Sequence, residues 1–599
     1  MSAITQLLEW AKDNGLDVSQ AIHFDKSSDS GIAAYAADDI KGAHIKVPIS
    51  LALKLSDAIE GLGPEFEELS KKTKNINVVS KLFLARERAP KYVNESKYKA
   101  YIESLPQFPE MRASPYLWSA EEVDRLKGSN LGSSLRDNIA NLVEEWWSII
   151  SVLPEAMEKP TEHFINMKFY YEQKFHSNQE LFEYIVNEGA NFANWTSFPS
   201  YLWAAMIFKS RSFPGYLLKD CPSAKEIDSQ KQDSAILLPV VDLLNHNPLS
   251  EVFWSCQNDS FVFESKSALA KGEQLFNNYG QKGNEELLLA YGFCIENNEA
   301  DSVALKVKVP LDMLPVLEAN GVKLPSISDY TTSVVPNEGK SDADKYDEYR
   351  DGLLFFITKQ HIPDNLVLLF QWLVKTKWEK TLTLRMKLSG LNHLRQAVES
   401  KAALLDYSGL SASSPNHNIV NTRIYLKSQK KILDSAVKHI KHIEKALLDE
   451  HKNSLLTLKS VFKKDIKFAN SLLLTMGVTS WDDIAEKQLM DQVWLLYLIR
   501  CYNRDEYIVS KEDEEENYLP KWIQKAFKKM DADTEMDATE VVQFRQLYEN
   551  LILPMNEAVP EIYNKGKWTV RELIVSTKLL DTVGFVRGKE QECILVAPE

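Results

Sequence analysis

The spacing of apolar positions changes three times along the chain. Gly31-Ile32-Ala33-Ala34-Tyr35 and His44-Ile45-Lys46-Val47 flank the turn-like Lys41-Gly42, with Pro48 closing the pair, and this predicts a small β unit. Ahead of it, Met1 to Gly15 sets Glu9, Lys12 and Asp13 among apolar positions, the pattern of a short amphipathic helix within residues 1–21. From about Asp57 to Phe208 the period is helical. Ser119 and Glu122 form a capping box ahead of Val123 and Leu126, and Leu142, Trp146, Ile149 and Ile150 share one helix face. Strand character returns at Ala235 to Val241 and at Ser260 to Phe263. Sheet, helices, then sheet again describes one β domain interrupted by a helical insertion.

After Tyr330 the polar run Asn337-Glu338-Gly339-Lys340-Ser341-Asp342 reads as a linker or mobile loop, and beyond it the pattern is nearly all helical. Leu426, Leu433, Ile440 and Leu447 recur every seven residues, with Ala436 and Ile443 between them, as in a long helix with one packed seam. A chain of 599 residues exceeds what one apolar core supports. The expected organisation is an N-terminal helix over 1–21, a β domain over 22–300 with its insertion at about 57–208, a connecting segment over 301–349, and an all-α region over 350–599. The fold class is therefore α+β.

Composition narrows the function classes. No run approaches the ~18 apolar residues of a membrane span, and neither a signal peptide nor a lipidation motif is indicated, so no membrane association is expected. A net charge of −15 argues against holding nucleic acid by neutralising phosphates and suits a basic protein partner. Cys221, Cys256, Cys294, Cys501 and Cys593 are far apart and form no C-x-x-C pair for zinc or a redox disulfide, which fits a reduced, intracellular setting. His439 and His442 lie three apart without a third ligand, as on a solvated helix face, and no metal is expected.

Two segments carry the candidate chemistry. Leu237-Leu238-Pro239-Val240-Val241-Asp242-Leu243-Leu244-Asn245-His246-Asn247-Pro248 places Asp, Asn and His directly after a buried strand, where polar side chains can face a ligand. Phe276-Asn277-Asn278-Tyr279-Gly280 is followed, twelve residues after its tyrosine, by Tyr291-Gly292-Phe293, and Asn284 to Ala290 between them looks helical. Alone, Asn245 and His246 would be read as capping a turn and Tyr279 as a core aromatic.

With Gly31-Ile32-Ala33 and Ser210-Arg211-Ser212-Phe213, these motifs resemble the SET methyltransferases, in the group typified by the plant Rubisco large-subunit lysine methyltransferase. In that group a glycine-containing β turn, an R-x-F element, a strand end of the D-L-L-N-H type and a Y-G…Y-G-F ending follow in this order. A helical insertion separates the first two and a helical substrate-binding domain closes the chain. At finer resolution Asn277 to Leu288 and Asp301 to Lys308 are similar to the fungal ribosomal-protein lysine methyltransferases.

The resemblance implies transfer of a methyl group from S-adenosyl-L-methionine to a protein lysine, with a basic substrate that is a large-subunit ribosomal protein. It implies a cytoplasmic enzyme, or one also in the nucleus. Tyr279 would be the catalytic tyrosine. Ser30, Ile32, Ser210, Asp242, Asn245, His246, Tyr279 and Phe293 would surround the cofactor, and Arg211, Phe213, Asn277 and Tyr291 would shape the lysine channel. Other acceptors on the same fold are a lysine of translation elongation factor 1A or a histidine, and a third reading is an inactive SET-fold binding module. Two departures stand out: Ala33 replaces the second glycine of the first motif, and Asn277 stands where the plant enzyme has an aliphatic side chain.

The chemistry makes its own demands. Methyl transfer to an amine is an in-line displacement that needs alignment more than acids or bases. Free lysine has a pKa of ~10.4, so a narrow apolar channel must favour the neutral amine by desolvation. Aromatic walls with one hydroxyl meet both requirements.

Overall fold

Strand alternation organises the β region of the computed structural model, which describes residues 2–27, 31–172, 178–229, 234–326, 346–588 and 592–598. Strand β4 (Ala43–Pro48) buries Ala43, Ile45 and Val47 and turns His44 and Lys46 outward. It lies between β1 (Asp17–Val18) and β8 (Ser260–Ser265), and β7 (Val252–Gln257) completes an antiparallel four-stranded sheet in the order β1-β4-β8-β7. A second sheet joins β2 (Ile22–Ser27), β3 (Gly31–Ala36) and β9 (Gln274–Leu275), with Ala34 opposite Leu275. A short pair, β5 (Ser212–Pro214) and β6 (Ala235–Leu237), sets Phe213 opposite Ile236.

The segments 31–35 and 44–47 are strands, but they do not pair with each other. Each joins a different sheet, because Ile40 in the connection is itself bridged to Leu269 by two hydrogen bonds of 2.9 Å, which pulls the chain out of a hairpin path. The strand expected over 235–241 stops at Leu237: Pro239 has no N–H to donate, and Val240 turns the chain with φ +75°.

The insertion is helical from Leu55–Leu62 to Phe198–Arg211, and the Ser119/Glu122 capping box is formed. Helix Asn130–Ile150 buries Trp146, Ile149 and Ile150, and the Trp146 indole donates to the Thr196 carbonyl at 3.0 Å. Beyond residue 300, β10 (Ser302–Val307) pairs along its whole length with β11 (Leu353–Thr358). The polar run 337–342 lies outside the described residues. The seven-residue seam forms helix His417–Glu450, which buries Leu426, Leu433, Ala436 and Ile440.

The apolar cores divide the chain later than residue 350. One core runs continuously from Leu7 to Ile440 and includes helices Leu384–Ala403 and His417–Glu450; a second runs from Leu456 to Leu595. A small cluster of Leu384, Leu388, Phe585, Ile594 and Val596 joins them. The region after 350 is not all-α. Besides β11, it carries a three-stranded sheet of β12 (Leu455–Thr457), β13 (Gly584–Arg587) and β14 (Glu592–Val596) in the order β12-β14-β13, whose short strands lie next to long helical runs and give little periodic signal.

The second core is pinned by a fully buried ion pair. Arg500 donates from Nε and Nη2 to Asp465 at 3.1 and 3.0 Å, and from Nη2 to Asn517 Oδ1 at 2.7 Å. Asp465 also caps helix Ile466–Met476. Removing one partner of such a pair strands the other charge, so Arg500→Met is expected to lose about 3–5 kcal/mol of stability. Denaturant unfolding checks this, and a loss below about 1 kcal/mol would show that the carboxylate finds other donors.

Candidate active site

The site forms where two distant loops run side by side. His246 and Asn277 make a parallel bridge: the Asn277 N–H donates to the Asn245 carbonyl at 2.8 Å, and the Asn247 N–H donates to the Asn277 carbonyl at 2.9 Å. Two residues on, the Tyr279 N–H donates to Nδ1 of His246 at 3.0 Å. That bond makes Nδ1 the acceptor and leaves the proton of the neutral ring on Nε2. Burial depresses the His246 pKa to about 4.

Tyr279 is the centre of an aromatic stack. Its ring lies 4.9 Å from His246 and 4.8 Å from Tyr291, near-parallel to both, and Tyr291 meets Phe293 edge-on at 6.2 Å. The Tyr279 hydroxyl donates to the Leu244 carbonyl at 2.7 Å, so toward any ligand its oxygen is an acceptor. Burial pushes the phenol pKa well above its ordinary value, so it is not a phenolate base at neutral pH.

Helix Phe198–Arg211 delivers the second wall. Its last residue, Arg211, donates from Nη1 to the Asp242 carbonyl at 2.9 Å and lies 3.4 Å from Asp242 Oδ2, which also accepts the Tyr101 hydroxyl at 2.7 Å. The Asp242 side chain is fully buried, its Oδ1 has no hydrogen-bond partner among the described residues, and burial raises its pKa. Asp242 follows Val240, a buried β-branched residue at φ +75° and ψ −46°, a conformation that only surrounding packing can hold. Ser210 spends its hydroxyl on the Met206 carbonyl of its own helix at 2.9 Å.

A cavity of about 910 Å³ opens at this junction, and Ser210, Arg211, Phe213, Asp242, Asn277, Tyr279 and Tyr291 all line it. Ile32, Asn245, His246 and Phe293 do not. His246 and Phe293 lie behind the Tyr279–Tyr291 wall, and Ile32 is in β3, which packs on the turn Val241–Leu243. Ser30 lies outside the described residues. Ala33 sits inside β3, fully buried with ordinary strand pairing to Asp25, so its methyl group is accommodated.

Asn277 is almost fully buried, and its Oδ1 accepts from the Trp254 indole at 3.2 Å and from the Asn278 N–H at 2.8 Å, so that oxygen is committed to the protein. Trp254 also packs edge-on against Phe213 at 5.3 Å and lines the cavity. Sequence reading missed Trp254 and Tyr101, which come from a short strand and an insertion helix without motif spacing. It also missed the pairing of Cys221 with Cys256. These cysteines form a disulfide with Cα atoms 5.6 Å apart, joining the segment after β5 to β7, although 35 residues separate them in sequence.

The Y-G-F segment is held from both sides. Gly292 ends helix Asn284–Tyr291 at φ +79°, and a Cβ there would meet that of Ala113 at 2.7 Å, so both conformation and contact require glycine. From helix His417–Glu450, Asn421 donates to the Gly292 carbonyl at 3.1 Å and accepts from the Cys294 N–H at 3.1 Å.

This arrangement of sheets, insertion and crossed loops is the SET fold. A solved structure described as Rubisco LSMT bound to AdoMet matches with a TM-score of 0.51 and 19% identity, covering 75% of this chain and 93% of that one. The SET domain of LSMT bound to Lysine and AdoHcy matches at 0.51 and 18%, covering 81% and 98%. Ribosomal lysine N-methyltransferase 1 of Saccharomyces cerevisiae is 34% identical over 503 residues, 79% of this chain and 82% of that protein. Protein-lysine N-methyltransferase EFM1 of the same yeast is 27% identical over 607 residues, 98% and 97% of the two chains. A family model described as the EFM1 middle domain matches residues 305–451. The chain belongs to the SET-domain protein-lysine N-methyltransferase family of these yeast enzymes.

The His246 geometry has a measurable consequence. Its folded pKa lies below the unfolded value of ~6.5, so the folded state takes up fewer protons between about pH 6.5 and 4. The stability associated with this group is full above pH 6.5 and is lost as pH falls through that window. An NMR titration of the His246 ring should show a midpoint near 4; a midpoint near 6.5 would mean that the ring is not held in its buried position in solution.

Proposed function

We propose that this chain methylates a lysine side chain of a large-subunit ribosomal protein, with S-adenosyl-L-methionine as methyl donor and Tyr279 as the catalytic residue. The observation that carries the reading is the Tyr279 hydroxyl, fixed to the Leu244 carbonyl at the wall of an aromatic cavity. With its proton committed, that oxygen accepts from the target amine and points the nitrogen lone pair along the reaction line. Phe213, Trp254 and Tyr291 supply the apolar walls that favour the neutral amine by desolvation.

The cavity also fits the donor's amino-acid head group. Lys209 lines the cavity and makes no hydrogen bond or ion pair among the described residues, which suits it to a carboxylate, whereas the Asp242 side chain is sealed off and that residue meets the cavity through its main chain. Lys209 would hold the carboxylate of that head group, with the main chain at Asp242 beside it and Asn245 and His246 toward the rest of the molecule. When bound, S-adenosyl-L-methionine supplies a methyl group on a sulfonium, which leaves as a neutral thioether as the C–N bond forms. Backbone carbonyls at Arg211 and Asp242 add weak C–H···O contacts to the methyl group.

The ribosomal substrate is supported by the 34% identity to a relative named as a ribosomal lysine methyltransferase. The match of residues 305–451 to the EFM1 middle domain, and the 27% identity to a relative named only as a protein-lysine N-methyltransferase, support a second reading, a lysine on a non-ribosomal protein. Incubation with labelled S-adenosyl-L-methionine and ribosomal subunits from a strain lacking the enzyme, followed by mass spectrometry of the labelled band, separates the two. Label on a large-subunit protein lysine supports the first; label only on non-ribosomal protein supports the second; label on histidine would overturn both.

Tyr279→Phe keeps the ring stack and removes only the hydroxyl. It is expected to bind S-adenosylhomocysteine nearly normally in calorimetry while kcat falls roughly 100-fold, the cost of misplacing a reacting atom by about 1 Å. An unchanged kcat would reduce Tyr279 to a wall of the channel.

A further inference from the structure

Outside the aromatic channel, three large apolar side chains stand exposed around the cavity's mouth. Tyr216 is 41% exposed, Phe253 50% and Leu249 87%. Single exposed apolar residues are ordinary, but a group gathered around one cavity marks a place for a partner. Tyr216 and Phe253 line the cavity, and Leu249 directly precedes its lining residues Ser250 and Glu251.

These side chains sit on fixed backbone. The Leu249 N–H donates to Asn247 Oδ1 at 3.0 Å, and Asn278 Nδ2 donates to the carbonyls of Pro248 and Ser250, each at 3.2 Å. Asn278 thereby ties the Leu249 turn to the loop that carries Tyr279. On the other side, the Cys221–Cys256 disulfide joins the Tyr216 segment to β7, which carries Phe253. A preformed apolar rim binds without first having to be ordered.

Charge gives the rim a second property. Of the cavity's charged residues, Arg211 pairs with Asp242 and Lys282 with Glu286, and Lys209, away from the rim at the end of helix Phe198–Arg211, makes no ion pair among the described residues. Glu251, exposed between Leu249 and Phe253, makes no ion pair among the described residues. An unpaired carboxylate between two apolar side chains fits a cation flanked by apolar groups.

We infer that Tyr216, Leu249, Glu251 and Phe253 form a subsite that reads the substrate segment next to the target lysine, selecting a large apolar residue together with a lysine or arginine. The inference rests on the lysine-acceptor reading above and extends it from the acceptor to its neighbours. The occupant is the substrate protein itself, because the rim is continuous with the channel its lysine enters.

The test is a positional library of lysine-centred peptides, incubated with the full-length enzyme and labelled S-adenosyl-L-methionine. The wild type is expected to label peptides with large apolar and basic flanks above those with small or acidic flanks. Glu251→Lys should shift the ratio of kcat/KM for basic over acidic flanks by roughly tenfold toward acidic, as attraction becomes repulsion. Leu249→Ser should reduce the preference for apolar flanks roughly threefold to tenfold. A purely structural role would alter all peptides alike and leave these ratios unmoved. Label spread evenly over flanks, or a ratio unchanged in Glu251→Lys, overturns the subsite while leaving the lysine-acceptor reading intact. No label on any peptide, with histidine labelled in intact protein, overturns both.

Discussion

The site depends on one crossing of the chain, the parallel bridge between His246 and Asn277. The backbone bonds of that bridge set two loops in register, and the Tyr279 N–H bond to His246 then fixes the histidine tautomer and the plane of the ring stack. From that point the Tyr279 hydroxyl reaches back to Leu244, on the loop it has just crossed. Position, acceptor direction and burial of one oxygen thus follow from a few backbone bonds. A low-dielectric surrounding makes each of them stronger and makes an unpaired group costly, so such a crossing has little freedom to adjust.

Other elements act as braces on this crossing. Tyr101, from the helical insertion, and Arg211, from its last helix, meet on Asp242, so the insertion holds the D-L-L-N-H turn from behind. Val240 stores strain immediately before that turn, and its complete burial keeps it there. From the opposite side, Asn421 grips both ends of the Gly292-Phe293 unit. The long helix His417–Glu450 shares the first apolar core and is part of the site's scaffold.

Much of the site was legible because motif residues sit close together in sequence and carry unusual chemistry. Asp242, Tyr279, Tyr291, Arg211 and Phe213 meet at one cavity as their motifs suggest. What escaped were long-range relations. The segments 31–35 and 44–47 have the right alternation, but alternation does not say which strand a neighbour pairs with. Trp254, Tyr101 and the Cys221–Cys256 pair are ordinary residues locally and gain meaning only from the fold. The sheet of β12, β13 and β14 was hidden by short strands drawn from distant segments. The core boundary after about residue 450 was hidden for a related reason: helical periodicity shows that a face is buried, not which core buries it.

Strand β3 hydrogen-bonds on one side to β2, its neighbour in sequence, and on the other to β9, where Ala34 meets Leu275. Between Ala34 and Leu275 the chain must build the whole insertion and the four-stranded sheet's last two strands. At about 5–20 residues per second of synthesis, the roughly 240 residues between them take on the order of 10 to 50 seconds to emerge. For that interval the far edge of β3 has no partner, and an open edge invites pairing with other chains. The insertion helices have mostly local contacts and can collapse in far less time. Biogenesis of this protein is therefore paced by the wait for one late strand, with an early hairpin held open beside an already folded helical body.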